Sequence, residues 1–335
     1  MTSHDNQAFL NEELKYVREK LTEILKGTEI VACHIAMVQV KIKRTKYKQT
    51  VAHFQFPKDY PQSAILIELK SKTLSEKLLN KLVEICDQEA KKHISSPQLV
   101  PIITFIKKFL DENFFSICSD EINYIKKNLI NPEKDELKIK SKSGTLSFNI
   151  NQDKFYMTFK IFVPDNYPGE PVRIEETASN FPGYLRKVFL SQAEEIARKC
   201  VSKPLKRNSK TPPFEPKSSL QPVVEFLVNE CIKRYPKESC PLCHKQVLPE
   251  KPEDVIKDTS HPNHLERVYC SHIYHFGCLD KYMKTPPFKD KKCPACKSII
   301  YHEKWNVSAK VAEDRWAHKQ AKQRELEEVV DFLAD

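Results

Sequence analysis

Eight cysteine and histidine residues stand in four close pairs in the last third of this sequence, and their spacing restricts the fold more than any other feature. The first and last pairs are Cys-x2-Cys, a short turn that can direct two sulfurs at one ion. Tetrahedral zinc in a structural site takes four cysteine or histidine ligands and leaves no position for water. Eight ligands therefore predict two Zn²⁺ ions. The candidate ligands are Cys240, Cys243, Cys270, His272, His275, Cys278, Cys293 and Cys296.

The rest of the sequence indicates that these cysteines are free to bind metal. The N-terminal residues are polar and lack the basic and apolar segments of a secretory signal. No apolar run reaches the roughly eighteen residues that a membrane span needs. We therefore expect no membrane association and a cytoplasmic or nuclear location, where thiols stay reduced and the 11 cysteines form no disulfide framework. The 5 glycines include no phosphate-binding loop, which excludes the common nucleotide-binding classes.

The ligand pattern resembles the RING finger of the RING-H2 subtype. A PHD finger normally has four cysteines before a single histidine, whereas here histidine occupies both the fourth and the fifth ligand positions. The histidines at 244, 261 and 264 do not fit the pattern, and we expect them at the surface. The resemblance implies one zinc ion bound by the first and third pairs (Cys240, Cys243, His275 and Cys278) and one bound by the second and fourth pairs (Cys270, His272, Cys293 and Cys296).

Active RING fingers bind a ubiquitin-conjugating enzyme in an apolar groove. The positions that match this groove are Leu242, Tyr282 and Pro294, and Tyr282 replaces the more usual tryptophan. For Leu242 and Tyr282 the alternative is packing within the finger, since exposed anchors and core residues look alike in a sequence. The position after the last ligand is often an arginine that contacts both the conjugating enzyme and ubiquitin. Here it is Lys297, the candidate catalytic residue, which keeps the charge but lacks the planar fork of donors.

The first two thirds of the chain contain a repeated motif. The sequence around Tyr60-Pro61 returns around Tyr167-Pro168, and Pro101-Ile-Ile-Thr-Phe returns as Pro222-Val-Val-Glu-Phe. Each copy begins with an apolar helical pattern, continues with alternating strand patterns and ends with two helices, the last starting at the repeated proline. Ser119 is the predicted cap of the first helix in the second copy. Two landmarks in the same order predict a duplication.

This order of helix, strands, helix and helix, with a Tyr-Pro turn after the strands, resembles the RWD domain, whose fold is shared with ubiquitin-conjugating enzymes. Those enzymes carry ubiquitin on a thiol shortly after the turn, and neither copy has a cysteine there. We expect Cys86 and Cys200, in predicted helices, to be buried and unreactive. His261-Pro262-Asn263 is a chance likeness to the conjugating enzymes' motif. The resemblance implies that both copies bind a protein substrate or regulator.

The formal net charge of +10 permits nucleic-acid binding without demonstrating it. The basic residues between 41 and 48 follow an alternating apolar pattern and are predicted to form the solvent face of a half-buried strand. The basic cluster of the proline-rich loop 203–220, which consists of Lys203, Lys206, Arg207 and Lys210, can contact phosphate or remain solvated. Nucleic acid is therefore an open but less favoured partner, with a steep salt dependence as its signature.

Together these features predict an α+β chain with two tandem RWD-like (ubiquitin-conjugating-enzyme-like) domains, a small zinc-bound RING finger and a C-terminal helix. The expected bounds are 1–115 and 116–236 for the RWD-like domains, 237–304 for the finger and 305–335 for the helix. The predicted function is a RING-type E3 ubiquitin ligase whose partners are a conjugating enzyme, ubiquitin and an unidentified protein substrate. The alternative is a non-catalytic scaffold.

The C-terminal helix carries a short apolar stripe at helical spacing. We expect this stripe to dock on the finger or on a repeat, with Trp305 and Trp316 helping to hold the helix. The stripe consists of Leu326, Val329, Val330 and Leu333.

Overall fold

The structure is a computed structural model, and it describes residues 3–203, 214–305 and 308–334. The basic residues Lys206, Arg207 and Lys210 of the proline-rich loop lie outside the described residues. None of the helices in the described ranges combines the length and apolar composition of a membrane span. The chain divides into two compact units, the first formed by Met1–Ile150, Met157–Ser179 and Gly183–Asn229 and the second by Asn151–Tyr156, Asn180–Pro182 and Glu230–Asp335.

The first half of the first unit is a helix, a four-stranded antiparallel sheet and two further helices. Apolar and polar residues alternate along the second strand of the sheet. Val38, Val40 and Ile42 are fully buried on one face of the sheet. Gln39 and Lys41 lie half-buried on the other face. The strands pair in chain order. The elements are α1 (Ser3–Ile24), β1 (Thr28–His34), β2 (Met37–Lys43), β3 (Gln49–Gln55), β4 (Leu66–Lys70), α2 (Glu76–Lys91) and α3 (Leu99–Glu112).

The core of this half lies between the sheet and its helices. On α1, Leu10, Leu14, Val17 and Leu21 recur every three or four residues and are all buried, as the helical pattern predicts. They form one cluster with the inner face of the sheet and with α2 and α3. Since burying each such side chain contributes roughly 1.5–3 kcal/mol, this stripe holds α1 in place.

Three helices of the first unit begin at a capping residue or close to a proline, within two residues of the predicted starts. Ser75 caps α2, because its hydroxyl accepts the Leu78 N–H at 3.4 Å. The last helix of each half begins two residues before its repeated proline, at Leu99 and at Leu220. Proline is tolerated there because the first four N–H groups of a helix have no intrahelical partner.

The second half of the first unit repeats this element order. Phe148 and Phe159 stack in its core, with ring centroids 4.9 Å apart. The predicted Ser119 cap is wrong, because the 3₁₀ turn Phe114–Cys118 runs directly into the helix and Ser119 is already helical. The elements are α4 (Ser119–Asn128), β5 (Glu136–Lys140), β6 (Thr145–Gln152), β7 (Phe155–Phe162), β8 (Arg173–Ser179), α5 (Gly183–Val201) and α6 (Leu220–Glu225), which continues as the π-helix Phe226–Ile232.

A buried network ties the first Tyr-Pro turn to the first and last helices of its half. The Tyr60 hydroxyl donates to Glu13 Oε2, and Glu13 Oε1 accepts the Leu99 N–H at 2.8 Å. The Gln98 N–H donates to the Tyr60 oxygen at 3.2 Å. Burial raises the pKa of the Glu13 carboxyl in spite of these hydrogen bonds. One tyrosine and one glutamate therefore join the turn to the first helix and to the start of the last helix.

The second Tyr-Pro turn has the same network. The Tyr167 hydroxyl donates to Glu121 Oε2 at 2.7 Å, and Glu121 Oε1 accepts the Gln221 N–H at 3.0 Å. The N–H groups of Ser219 and Leu220 donate to the Tyr167 oxygen at 2.8 and 3.0 Å. Sequence analysis found the repeated tyrosine but missed the glutamate that accompanies it.

Lys48 overturns the prediction that the whole basic stretch faces solvent. This lysine is fully buried, with Nζ 2.9 Å from Asp165 Oδ1 and 4.8 Å from the centroid of the Phe114 ring. Arg44 Nε donates to the same carboxylate at 3.0 Å. The alternation ends where β2 ends at Lys43, so the next residues no longer follow the strand and Lys48 turns toward the second half of the unit.

The second unit contains the cysteine-rich sequence. Two short antiparallel strands lead into a short helix, and a long helix follows at the C-terminal end. The elements are β9 (Leu265–Arg267), β10 (Ile273–His275), α7 (Phe276–Met283) and α8 (Ala309–Ala334).

Two tryptophans hold the start of the C-terminal segment. Trp305 Nε1 donates to Asp280 Oδ1 at 2.9 Å, and the Trp316 ring contacts Phe288 at 6.3 Å between centroids. The predicted docking of the stripe is not observed where it is described, because Leu326 and Val330 are exposed. The side chains of Val329 and Leu333 lie outside the described residues.

Candidate metal centre

Two turns with the same backbone geometry carry the first and last pairs of candidate ligands. In one, the His244 N–H donates to the Cys240 carbonyl oxygen at 2.8 Å, and in the other the Lys297 N–H donates to the Cys293 carbonyl oxygen at 2.8 Å. His244 and Lys297 both adopt left-handed backbone, with φ of 61° and 63°. The likeness of the turns follows from the shared Cys-x2-Cys spacing and brings the two sulfurs of each pair together.

The β9–β10 hairpin and α7 carry the two central pairs. Cys270 and His272 lie in the hairpin loop, which the Val268 N–H closes by donating to the His272 carbonyl oxygen at 3.0 Å. His275 is the last residue of β10, and Cys278 lies in the first turn of α7. His272 ends the loop and His275 ends the strand, so the hairpin carries one histidine to each of the two groups of ligands.

These elements bring the eight candidate ligands into two groups of four. Within each group the ligand atoms all lie within 4.8 Å of one another. The groups are interleaved, since the first and third pairs come together and so do the second and fourth. Each offers three sulfurs and one imidazole nitrogen. Metal site one is Cys240, Cys243, His275 and Cys278, and metal site two is Cys270, His272, Cys293 and Cys296.

The distances between ligand atoms fit tetrahedral zinc. Cys243 Sγ lies 3.3 Å from His275 Nδ1, and Cys270 Sγ lies 3.5 Å from His272 Nδ1. Zinc bonds of about 2.3 Å to sulfur and about 2.0 Å to nitrogen place two such atoms about 3.5 Å apart. His275 Nε2 also donates to the Gln246 carbonyl oxygen at 3.1 Å, because that oxygen can only accept. This contact leaves the Nδ1 lone pair of His275 available for the metal.

The closeness of the sulfurs within each group also favours a bound cation. Burial and the neighbouring thiols of Cys243 and Cys240 raise the pKa of Cys278 to about 12. Hydrogen bonds from Ser298 lower the pKa of the Cys296 thiol to about 6. Sulfurs this close together cannot all be thiolates unless a positive ion compensates their charge. Each site can therefore hold one metal ion, and the sulfur-rich ligand set suits Zn²⁺.

Tyr274 is a contact of metal site two that sequence analysis missed. It lies in β10 between His272 and His275, is fully buried, and has its hydroxyl oxygen 2.9 Å from Cys293 Sγ. Burial raises the pKa of this hydroxyl, which therefore keeps its proton. The sequence held one signal, a tyrosine that stands two residues after one candidate ligand and directly before another.

The residues predicted to contact a conjugating enzyme all keep some surface exposed to solvent. Leu242, Tyr282 and Pro294 are each half-buried, so each combines packing with exposed surface. The Tyr282 hydroxyl donates to the Lys292 carbonyl oxygen at 2.8 Å. The exposed Lys297 donates from Nζ to the Pro294 carbonyl oxygen at 3.1 Å. Lys297 and Pro294 are thus brought together, because the lysine side chain folds back and contacts the Cys293–Cys296 turn.

The His-Pro-Asn segment caps α7. The Pro262 carbonyl oxygen accepts the Gly277 N–H at 2.8 Å, and the His264 carbonyl oxygen accepts the Phe276 N–H at 2.7 Å. His264 is buried, contrary to the predicted surface position, because its Nδ1 lies 2.9 Å from the Ile256 carbonyl oxygen. His244 and His261 are exposed. The segment therefore has a structural role at the start of α7.

Two cysteines of the first unit, Cys86 and Cys200, lack the surroundings of a nucleophile. Cys86 is buried, and burial followed by the charge of Asp87 raises its pKa to about 12. Cys200 is half-buried rather than buried, since it lies near the end of α5, and burial still raises the pKa of its thiol. A raised pKa keeps a thiol protonated and unreactive.

Comparison with protein families finds the RWD domain at residues 6–110. This stretch corresponds to α1 through most of α3, so the N-terminal part of the first unit is an RWD domain. The expectation of an RWD domain there is confirmed. An RWD domain is a protein-interaction module, and it indicates a protein partner. No curated protein matches the chain.

Proposed function

We propose that this protein is a RING-type E3 ubiquitin ligase. Its finger at 237–304 recruits a ubiquitin-conjugating enzyme, and its RWD region binds a substrate or regulator in the cytoplasm or nucleus. The observation that carries the proposal is the interleaving of the two metal sites, since the first and third ligand pairs share one site and the second and fourth share the other. The RWD domain supports it because a ligase needs a module that selects its protein substrate.

The proposal includes a second RWD domain at 116–236, after the first at 1–115. Its support is the network shared by the two halves of the first unit. Tyr167 repeats the contacts of Tyr60, and Glu121 those of Glu13. The two sheets also have the same strand order. Two RWD domains in tandem would offer two protein-binding surfaces.

In this mechanism the chain supplies no nucleophile. A lysine amine of the substrate attacks the thioester carbonyl carbon of ubiquitin held on the conjugating enzyme, the enzyme's thiolate leaves, the amine gives up a proton to solvent, and an isopeptide bond forms. When bound, zinc supplies the cross-links that fix the loops of the finger. Leu242, Tyr282 and Pro294 bind the conjugating enzyme. Lys297 leaves the Pro294 oxygen and donates to the enzyme and ubiquitin, so the rate gain comes from orienting the thioester.

The test is discharge of ubiquitin from a charged conjugating enzyme onto free lysine. The full chain is expected to accelerate discharge, and Leu242→Ala to abolish the acceleration. Lys297→Ala should reduce it, whereas Lys297→Arg should increase it because arginine restores the planar fork. Lys257→Ala, which removes an exposed lysine elsewhere in the finger, is the matched control. Discharge at the uncatalysed rate with a panel of conjugating enzymes would contradict ligase activity.

A scaffold is the second candidate, and Lys297 is the observation that favours it. Lysine stands where active fingers often have arginine, and its Nζ is engaged by the Pro294 oxygen. In a scaffold, the finger and the RWD region bind proteins without activating a thioester. Binding of a conjugating enzyme with no acceleration of discharge, even by Lys297→Arg, would establish the scaffold.

A further inference from the structure

The sulfur ligands differ in the groups that donate hydrogen bonds to them. In three of them, Cys243, Cys270 and Cys296, the backbone N–H two residues later in the chain donates to the sulfur. Cys293 has a side-chain donor, the hydroxyl of Tyr274 at 2.9 Å. Cys296 also accepts a hydrogen bond from a side chain, the hydroxyl of Ser298, but Ser298 is exposed whereas Tyr274 is fully buried.

The direction of this hydrogen bond follows from the chemistry of the ligand. A metal-bound cysteine is a thiolate, which has no proton to give, so the hydroxyl of Tyr274 must donate. Both side chains are fully buried, and water does not compete for either partner. Hydrogen bonds to a charged acceptor in such surroundings are short and strong.

The position of Tyr274 is fixed by the fold. It pairs with Glu266 in the β9–β10 ladder, and it stands between His272 of site two and His275 of site one. The β9–β10 hairpin, which carries a histidine ligand to each site, thus also carries the hydroxyl to Cys293. A donor held this rigidly fixes the orientation of the sulfur before the metal binds.

We propose that Tyr274 is a positioning residue of metal site two, whose hydroxyl orients the Cys293 thiolate and draws charge from its sulfur. The hydrogen bond makes the sulfur less reactive toward protons and oxidants and slows the loss of the ion. Removing a group that orients a metal ligand typically weakens metal binding about 10- to 100-fold. The inference rests on the metal binding proposed above and adds a residue that orients one ligand of metal site two.

The experiment uses the full chain, loaded with Co²⁺ under reducing conditions and separately with Zn²⁺. In Tyr274→Phe, which keeps the buried ring, we expect two bound Co²⁺ ions and a sulfur-to-cobalt charge-transfer band moved to lower energy for one of them. From the zinc form, a chromophoric chelator should remove one equivalent about 10-fold faster than from the unmodified chain, and the other at an unchanged rate.

Tyr282→Phe is the matched control, because it removes a tyrosine hydroxyl that donates to a carbonyl oxygen in the same finger and not to a sulfur. It should leave the band and both release rates unchanged. A singly fluorinated tyrosine at position 274, whose hydroxyl is a stronger donor, should move the band to higher energy. This second variant keeps the test decisive if Tyr274→Phe fails to fold.

The outcomes separate this inference from the proposed function. Failure of the unmodified chain to bind Co²⁺ or Zn²⁺ would overturn both. Two bound ions with the same band and release rates in the unmodified, Phe and fluorinated proteins would overturn the role of Tyr274 alone. An equal change in Tyr282→Phe would also overturn it, since the effect would then come from general loosening of the finger.

Discussion

The Tyr167 hydroxyl donates a 2.7 Å hydrogen bond to Glu121 Oε2, although 46 residues separate the two in the chain. The equivalent pair, Tyr60 and Glu13, is separated by 47 residues. In each half of the first unit the tyrosine joins the turn after the strands to the first helix and to the start of the last helix. The tyrosine of the repeated Tyr-Pro motif is therefore a buried structural joint.

The first prediction concerns pH. Burial raises the pKa of Glu121 above its ordinary value of 4.5, in spite of the hydrogen bonds from Gln221 and Tyr167. Because the folded chain binds this proton more tightly than the unfolded chain, the stability due to the group is complete below pH 4.5 and is lost as pH rises through the raised pKa. We expect Glu121→Gln to unfold at a lower urea concentration, since the amide accepts the Gln221 N–H less well. As pH rises above 4.5, however, the free energy of unfolding of this variant should decrease less than that of the unmodified chain.

The measurement is urea unfolding from about pH 4 to about pH 8, followed by the far-ultraviolet signal of the first unit. Glu170→Gln, in the exposed part of the second Tyr-Pro turn, is the control for loss of a carboxylate. Parallel pH profiles for the unmodified chain and Glu121→Gln would show that this carboxyl titrates alike in the folded and unfolded chain.

The second prediction concerns the buried cation between the halves of the first unit. Lys48→Met keeps most of the volume but removes the charge that pairs with Asp165. Breaking a fully buried ion pair costs about 3–5 kcal/mol. Asp165 is partly exposed and keeps Arg44, so we expect a loss of roughly 1–3 kcal/mol. Chemical denaturation measures it.

A double-mutant cycle isolates the pair itself. Asp165→Asn alone leaves Lys48 buried without its carboxylate and should be the costlier change, while the double variant should recover part of the loss. Strictly additive effects would mean that the 2.9 Å contact contributes nothing beyond the packing of each side chain.

The parts of the fold that are local in sequence could be predicted from it. The alternation of Val38, Val40 and Ile42 gave β2, because a strand repeats its faces every two residues over a few positions. The spacing Cys240-x2-Cys243 gave the first turn of the metal centre, because the distance between the sulfurs depends on four residues only.

The parts that depend on distant residues could not be predicted. Lys48 looked like a solvated lysine because its partner Asp165 lies 117 residues away. Tyr274 looked like an ordinary strand residue because Cys293, which its hydroxyl contacts, lies 19 residues further along the chain. The glutamates were a missed signal, since the separation of Glu13 from Tyr60 returns almost unchanged between Glu121 and Tyr167. The apolar helical pattern rests on their neighbours, such as Leu14 and Ile122, and takes no account of the glutamates.

The third prediction tests the cap of α7. A Cβ added at Gly277 would lie 3.0 Å from Pro262 Cβ and 3.2 Å from the Pro262 carbonyl oxygen. Gly277→Ala should therefore displace the start of α7, which carries Cys278 of metal site one, at a cost of about 1–3 kcal/mol. Faster zinc loss to a chelator and a lower thermal midpoint would report it.

A glycine in a roomy position provides the comparison. At Gly183, the first residue of α5, an added Cβ would meet only the end of the flexible Arg186 side chain, at 3.7 Å. Gly183→Ala should be neutral or stabilising by less than about 1 kcal/mol. Equal zinc retention in Gly277→Ala and the unmodified chain would show that Pro262 moves aside freely.

The last prediction concerns removal of the metal. Structural zinc supplies on the order of 10 kcal/mol to a small finger, which equals the whole stability of a typical domain. The region 240–296 should therefore unfold when a chelator takes the zinc. The first unit, whose core of leucine, isoleucine and valine side chains holds α1 to α3 on the sheet, should stay folded.

Hydrogen exchange followed by mass spectrometry distinguishes these regions. With chelator, the amides of β9, β10 and α7 should lose protection while those of β2 and β3 keep theirs. Returning Zn²⁺ should restore protection, and Mg²⁺ should not, because it prefers oxygen ligands. Cys293→Ser should lower the protection of the finger without chelator, whereas Cys86→Ser, a change in the core of the first unit, should not. Protection at β10 that survives removal of all metal would mean that side-chain packing holds the finger together.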